Sequence, residues 1–487
     1  MPNSPSIATK AARGAFLLLA TQAFQLGLQF VGDIVLARLI SPADFGRVAM
    51  VMTVTSLAMQ FKDFGLSAAT IQAHDLTNSQ SSNLFWCNVT VSAILTGCIC
   101  AAAPLVQIGF GKPHLAAITV ALASCILFAG LGVQHQAQLV RQLRFGAISR
   151  AQLIGLVAGY VAAIIGAYAG LHHWALVILQ TVRHGVVTLG LYAAYPWLPQ
   201  RPLRNQGSWS HIRFGSSLAG FDLVNYFSRN VDKLLIGRIG GEAALGQYNR
   251  AYQLLLLPIA QVRGPIAAAG MPLLSSLQHQ PVEFRRLYLG MVSLVASVSL
   301  PIMAWLAVHS LELTRILFGE AWLPSAEYFR LLSLAGLGQP TVGLLGLLLV
   351  TLGRGARYFQ WGCWHAGAMV VSFLIGSLWG ISGICIAYAI ANLLVAIPSA
   401  RFCTHLSPVS TRDFLSTHVV PGAFTAAAAG TSWLITSIWP DKRVYLRLGV
   451  GSAAFAVVYL AQFLVLPSRV EDVRWLIRAL RRRHVVA

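Results

Sequence analysis

Fourteen apolar runs can be placed along the chain, near residues 14–37, 45–66, 84–108, 115–138, 150–170, 172–194, 213–237, 245–270, 288–309, 325–352, 358–378, 380–401, 418–439 and 446–466. Each is long enough to cross a bilayer, for which ~20 residues suffice at ~1.5 Å rise per residue. The pattern predicts an all-α polytopic membrane protein of about 14 transmembrane helices. The connections are short, the longest lying around 139–149, 195–212, 271–287 and 402–417, so no extramembrane domain is expected.

One of these runs breaks its own pattern. The stretch RFGSSLAGFDLVNYFSRNVDKLLIG, from Arg213 to Gly237, carries Asp222, Asn225, Arg229, Asp232 and Lys233. At about 100° per residue these five occupy roughly a third of the helix circumference, a single polar stripe. A charge at mid-bilayer costs ~2.5–3.5 kcal/mol on insertion scales, so the stripe calls for polar partners or a water-filled cavity.

The stripe has a twin 200 positions earlier. In FLLLATQAFQLGLQFVGDIVLARL, Gln22 answers to Asp222, Gln25 to Asn225, Gln29 to Arg229 and Asp33 to Lys233. The correspondence continues without a gap through Arg38 and Arg238 to Gly46 and Gly246. The two helices are the first and seventh spans, six apart, so both halves share one orientation. Two parallel six-helix bundles around one cavity are expected, as in transporters whose repeats rock about a midplane site. The boundaries so drawn are 1–200 for the N-terminal lobe, 201–405 for the C-terminal lobe and 406–466 for two additional helices. In the tail, 467–487, Val470, Val473, Leu476, Ile477 and Leu480 recur at helical spacing among arginines, predicting a basic amphipathic cytoplasmic helix on the anionic inner leaflet.

Composition agrees with the spans. Of 487 residues, 56% are hydrophobic and only 10% charged, against about 25% charged in soluble domains. The net charge of +20 is spread over short loops, which argues for membrane topology and against nucleic acid. With the N-terminus inside, 21 basic residues fall on the cytoplasmic side and 9 on the other; both termini are therefore expected in the cytoplasm. Lys10 and Arg13 precede the first span as in a signal peptide, but its glutamines and Asp33 mark it as an uncleaved helix. The seven cysteines form no CxxC pair, so no metal or other cofactor is expected.

Depth singles out Arg183, Asp222 and Arg229, which lie nearest the middles of their spans. Lys233, Asp33 and Arg250 lie closer to the outer interface, where long side chains can snorkel. Arginine and lysine in such a lining suit an anionic ligand, phosphate above all. Arg183, Arg229, Lys233, Arg250 and Asn225 are thus the candidate diphosphate ligands. Asp222, Asp232 and Asp33 are candidates for charge balance or coupling, and Gln22, Gln25 and Gln29 for polar lining. A buried ion pair between Asp222 and Arg229 that only fixes helix packing is the competing reading.

The runs LARLISPADFGRVAMV, FKDFGLSAATIQ and NYFSRNVDKLLIGRIGGEAALGQYNRAYQLLLLPIAQV resemble the polysaccharide transport branch of the multidrug/oligosaccharidyl-lipid/polysaccharide flippase superfamily, especially its Wzx-type O-antigen and colanic acid exporters. Asn230, Asp232, Lys233, Gly237, Gly246, Tyr248, Arg250 and Pro258 carry the last of these runs. The resemblance implies a V-shaped cavity between two bundles, with spans one and seven at its walls. It implies a transporter of undecaprenyl-diphosphate-linked oligosaccharide across a bacterial inner membrane, with a proton or sodium as coupling ion in relatives. A polysaccharide polymerase and a chain-length regulator are the partners such a transporter would have. Two other readings stay open: a cation or drug antiporter of the same superfamily, whose cavity should be acidic, and a membrane enzyme acting on lipid-linked sugars. For the enzyme, His172, His173 and His309 are the best outward candidates, but no outer loop is long enough to hold a catalytic site. The stretch Gly109–Lys112 lacks the spacing of a nucleotide-binding loop.

Overall fold

The computed structural model describes residues 7–63, 66–72, 77–202, 230–438 and 443–465. Asp222, Asn225, Arg229, most of the seventh run and the tail 467–487 lie outside the described residues. Within them the chain is all helix, without strands. Ten helices are long and apolar enough to cross a membrane. The first, second and eleventh runs are also helical but are not among those ten. In the eleventh, Gln360 and His365 interrupt the apolar run. The described chain forms two compact units, Met1–Gly246 and Gln247–Ala487.

The first unit contains α1 (Ile7–Leu39), α2 (Pro42–Phe61), the short α3 (Leu66–Gln72), α4 (Asn78–Phe110), α5 (Leu115–Arg141), α6 (Phe145–Tyr168), α7 (His173–Ala194) and a helical stretch at 230–239, α8. Its starts and stops are written locally. Ser41 caps α2 by accepting from the Asp44 amide, with Pro42 in the first turn, where its missing N–H costs nothing. Thr77 and Gln80 form a reciprocal capping box on α4, and Gly111 closes that helix at φ 67°.

Small residues set how closely these helices approach. Gly155 and Gly159, one turn apart on α6, face α7: a methyl at Gly155 would stand 2.4 Å from Val187, and one at Gly159 2.8 Å from the Leu179 carbonyl. Helices in lipid gain little from apolar burial, so close backbone packing carries much of their association. Gly32 similarly seats the Tyr160 ring of α6 against α1.

The second unit is built from α9 (Gly241–Ser276, whose first six residues belong to the first unit), α10 (Pro281–Val308), α11 (Ser310–Leu317), a 3₁₀ turn (Glu320–Trp322), α12 (Leu323–Thr351), α13 (Gly355–Ser377), α14 (Gly380–Thr404), α15 (Thr411–Ser437) and α16 (Val444–Val465). Its core includes Met291, Val292 and Val295 of α10 with Leu344, Leu345 and Leu348 of α12. Gly376 and Gly383 meet reciprocally between α13 and α14, each facing the other's carbonyl oxygen at 2.4–2.6 Å from where a methyl would be. The last two helices pack on α10: the Tyr459 hydroxyl donates to the Ser297 carbonyl at 2.5 Å and the Trp305 indole to Ser452 Oγ at 3.0 Å. The stretch 310–324, between the ninth and tenth apolar runs, is mostly helical. Glu312 and Thr314 of α11 are buried, and Glu312 pairs with Arg447 of α16 at 3.0 Å.

Candidate functional site

On α1 the positions 22, 25, 29 and 33 recur every three or four residues, and the structure gives them unequal surroundings. Gln22 and Gln29 are exposed. The Gln25 amide nitrogen is buried without a hydrogen-bond partner, an arrangement that costs about 1–3 kcal/mol in a protein interior. Asp33 is half-buried and accepts a 2.9 Å hydrogen bond from the Tyr160 hydroxyl of α6. Gly32 makes that bond possible, because any side chain there would occupy the tyrosine ring's place.

The described end of the matching stripe is equally ordered. Lys233 Nζ donates to Asn230 Oδ1 at 3.1 Å, and Asp232 beside it is fully buried and within electrostatic reach of the ammonium. Arg183 is half-buried on α7, its Cβ packed at the Gly159 surface of α6. His184, whose Nδ1 lies 2.8 Å from the Gln180 carbonyl, has both Arg183 and Lys62 as electrostatic neighbours. Lys62 follows the last residue of α2 and was not expected in this group; only the fold of α2 toward α7 brings it there.

Arg250 takes a different place from the one its sequence position suggests. It is 5% exposed, and its guanidinium stands 5.1 Å from the Phe318 ring and 5.3 Å from the Trp322 ring. Nη1 also donates to Gln253 Oε1 at 3.4 Å. The cation is desolvated against two aromatic faces, where cation–π attraction is strongest. It does not snorkel to an interface.

A polar assembly in the first unit joins residues from both copies of the motif. Gly46 of α2 lies against the backbone of Glu242: a methyl on Gly46 would fall 1.7 Å from that carbonyl oxygen. Gly246 lies against Pro42 in the same way, at 2.0 Å. Since 42 answers to 242 and 46 to 246, the contact is reciprocal across the 200-residue repeat, as in an isologous two-fold interface. Arg47 then ties the copies together, donating from Nε to Glu242 Oε2 at 2.9 Å and from Nη1 to Asp44 Oδ1 at 2.9 Å. Asp44 also accepts from Ser41 Oγ at 2.7 Å. His173, at the start of α7, brings Nδ1 within 3.4 Å of Asp44 Oδ1 without the geometry of a hydrogen bond. The glycines were visible in the repeat; the charges around them were not. Asp44 and Glu242 sit in the first turns of their helices, where carboxylates are common for reasons of capping alone.

A family model described as polysaccharide biosynthesis protein matches residues 35–327, more than half of the chain and both copies of the interlocking glycine. The chain belongs to this family. The teichuronic acid biosynthesis protein TuaB of Bacillus subtilis is 26% identical over 83% of this chain and 85% of its own length. The succinoglycan biosynthesis transport protein ExoT of Rhizobium meliloti is 26% identical over 90% of both chains. The lipopolysaccharide biosynthesis protein WzxC of Escherichia coli is 24% identical over 77% of both. Among solved structures, the lipid II flippase MurJ in an inward closed conformation covers 93% of this chain, and 99% of its own, with a TM-score of 0.74 at 12% identity. An inward-facing MATE family transporter of the MOP superfamily covers 82%, and 95% of its own, with a TM-score of 0.62 at 15% identity. The fold is therefore that of the superfamily whose polysaccharide branch the sequence resembles.

Proposed function

We propose that this protein is a flippase that moves undecaprenyl-diphosphate-linked oligosaccharide from the inner to the outer leaflet of a bacterial inner membrane by alternating access. The observation that carries this reading is likeness over four-fifths or more of the chain to TuaB, named for teichuronic acid biosynthesis, and ExoT, named for succinoglycan biosynthesis transport. It is joined to a fold like that of a lipid II flippase. Fourteen spans in two parallel six-helix lobes plus two helices, with both termini cytoplasmic, is the topology that the 21-to-9 charge split favours.

In this reading Arg183, Arg229, Lys233 and Asn225 hold the diphosphate, where arginine supplies a planar fork to phosphate oxygens. Gln22, Gln25 and Gln29 offer amides to the sugars, and the polyprenyl tail stays in lipid. Arg250 is held away by Phe318 and Trp322, so it joins the ligand set only in a state where that cage has opened. Asp222, Asp232 and Asp33 balance these cations, with Asp33 held by Tyr160 and Asp222 as the carboxylate for a coupling proton or sodium. The Gly46–Gly246 interlock and the Arg47–Glu242 pair form the closed outer gate, which must part for the sugars to leave. A polymerase and a chain-length regulator then receive the flipped unit.

The test is a deletion strain complemented in trans. It should lose surface polysaccharide and accumulate lipid-linked repeat units on the inner leaflet, and the intact gene should reverse both. A strain whose surface polysaccharide and lipid-linked pool are unchanged by the deletion would overturn the assignment.

A further inference from the structure

We propose that the second unit holds a binding site for the phosphate headgroup of an anionic membrane phospholipid, between the start of α10, the end of α14 and the start of α15. A cavity of about 610 Å³ opens there, lined by Arg285, Arg401, Thr404, His405, Ser410 and Asp413 among others. The ends of three membrane-spanning helices converge on it, so it lies at the level of the lipid headgroups.

The charges in it divide into those already used and those left over. Arg285 clamps Asp413 with a two-bond fork, Nε to Oδ2 at 3.0 Å and Nη2 to Oδ1 at 2.8 Å, so that carboxylate is neutralised. Ser410 and Asp413 also cap one another's amides, which occupies the first turn of α15. Arg354 and Arg357 donate to the carbonyls of Phe402, His405 and Leu406 and finish α14. Arg401 is exposed and has no acidic partner among the described residues. Its guanidinium borders the cavity beside the exposed His405, whose Nδ1 lies 3.5 Å from Arg357 Nη1, and beside Thr404 and Thr411, whose hydroxyls bond each other while Thr404 donates to the Ala400 carbonyl. With Arg285 matched by Asp413, Arg401 leaves the pocket net cationic, which suits a phosphate group.

The surroundings identify the source of that phosphate as a lipid. Val282 is 75% exposed, Leu406 73% and Val419 66%, and all three flank the pocket in sequence. Acyl chains lying along these side chains would bring a headgroup to Arg401. Basic pockets between transmembrane helices bind anionic headgroups on this principle.

The test purifies the full chain and its variants through mixed micelles of phosphatidylglycerol and phosphatidylcholine, then measures co-purified lipid by mass spectrometry. Wild type should retain phosphatidylglycerol preferentially, and Arg401→Gln should lower that enrichment about fivefold. Arg401→Lys should keep most of it, with an unaltered unfolding midpoint, which separates loss of charge from loss of fold. Millimolar inorganic phosphate should leave the lipid in place. Equal enrichment in Arg401→Gln would overturn the site, and displacement of the lipid by inorganic phosphate would reassign it to the free anion. Surface polysaccharide is not the readout, so failure here and failure of the flippase assignment remain distinguishable.

Discussion

Replacing the two interlocking glycines tests the gate directly. A Cβ does not approach another heavy atom below 3.0 Å, yet at Gly46 it would lie 1.7 Å from the Glu242 carbonyl and at Gly246 2.0 Å from that of Pro42. Both obstacles are backbone, so no side-chain rotation relieves them. Gly46→Ala or Gly246→Ala therefore has to push the two helix starts apart by about 1 Å, at an overpacking cost of about 1–3 kcal/mol. The same movement strains the Arg47–Glu242 bond, which joins a side chain 30% exposed to one 15% exposed, and charged hydrogen bonds are worth about 1.5–3 kcal/mol. If the contact exists only while the gate is closed, a penalty of that size shifts the open–closed balance by roughly 5- to 150-fold. Spin labels at Leu39 and Ile239, both exposed and equivalent in the repeat, read the result in a cysteine-free background. Longer separations are expected in either alanine variant, with export reduced because the closed state is under-populated. An unchanged distance distribution together with normal export, from well-inserted protein, would refute the gate.

Three further outcomes follow from the same geometry. Arg183→Ala or Arg229→Ala should abolish surface polysaccharide in protein that still inserts, and Arg229→Lys should restore it only in part, because a point charge replaces a bidentate contact; complementation assays with membrane blots check this. Tyr160→Phe removes the hydroxyl that Asp33 accepts from and should destabilise the first unit by about 1.5–3 kcal/mol, seen as a lower thermal unfolding midpoint that Asp33→Asn does not lower further. A reporter fused after residue 466 should read as cytoplasmic, and deleting residues 470–487 should leave export largely intact; an external reporter would remove the basis of the parallel-repeat reading.

That the chain is built of membrane-spanning helices was legible because a bilayer imposes them. Each crossing needs about 20 apolar residues whose backbone bonds close within the helix, so each one leaves its own mark in the sequence. Gly46 and Gly246 stood out in the chain for a similar reason: each lies where two backbones approach too closely for a side chain. Side-chain partnerships are another matter. Tyr160 meets Asp33 from 127 positions away, and Phe318 and Trp322 enclose Arg250 from about 70 away. Arg47 finds Glu242 195 positions on, and Arg285 finds Asp413 across 128. Such pairs depend on how each helix is rotated and which neighbour it crosses. Those are properties of packed small residues such as Gly32, Gly155 and Gly159, not of any single helix's periodicity. Arg250 shows the consequence: its position near a span end permits both an exposed cation and a caged one, and only the docking of α11 and the 3₁₀ turn after it selects the cage.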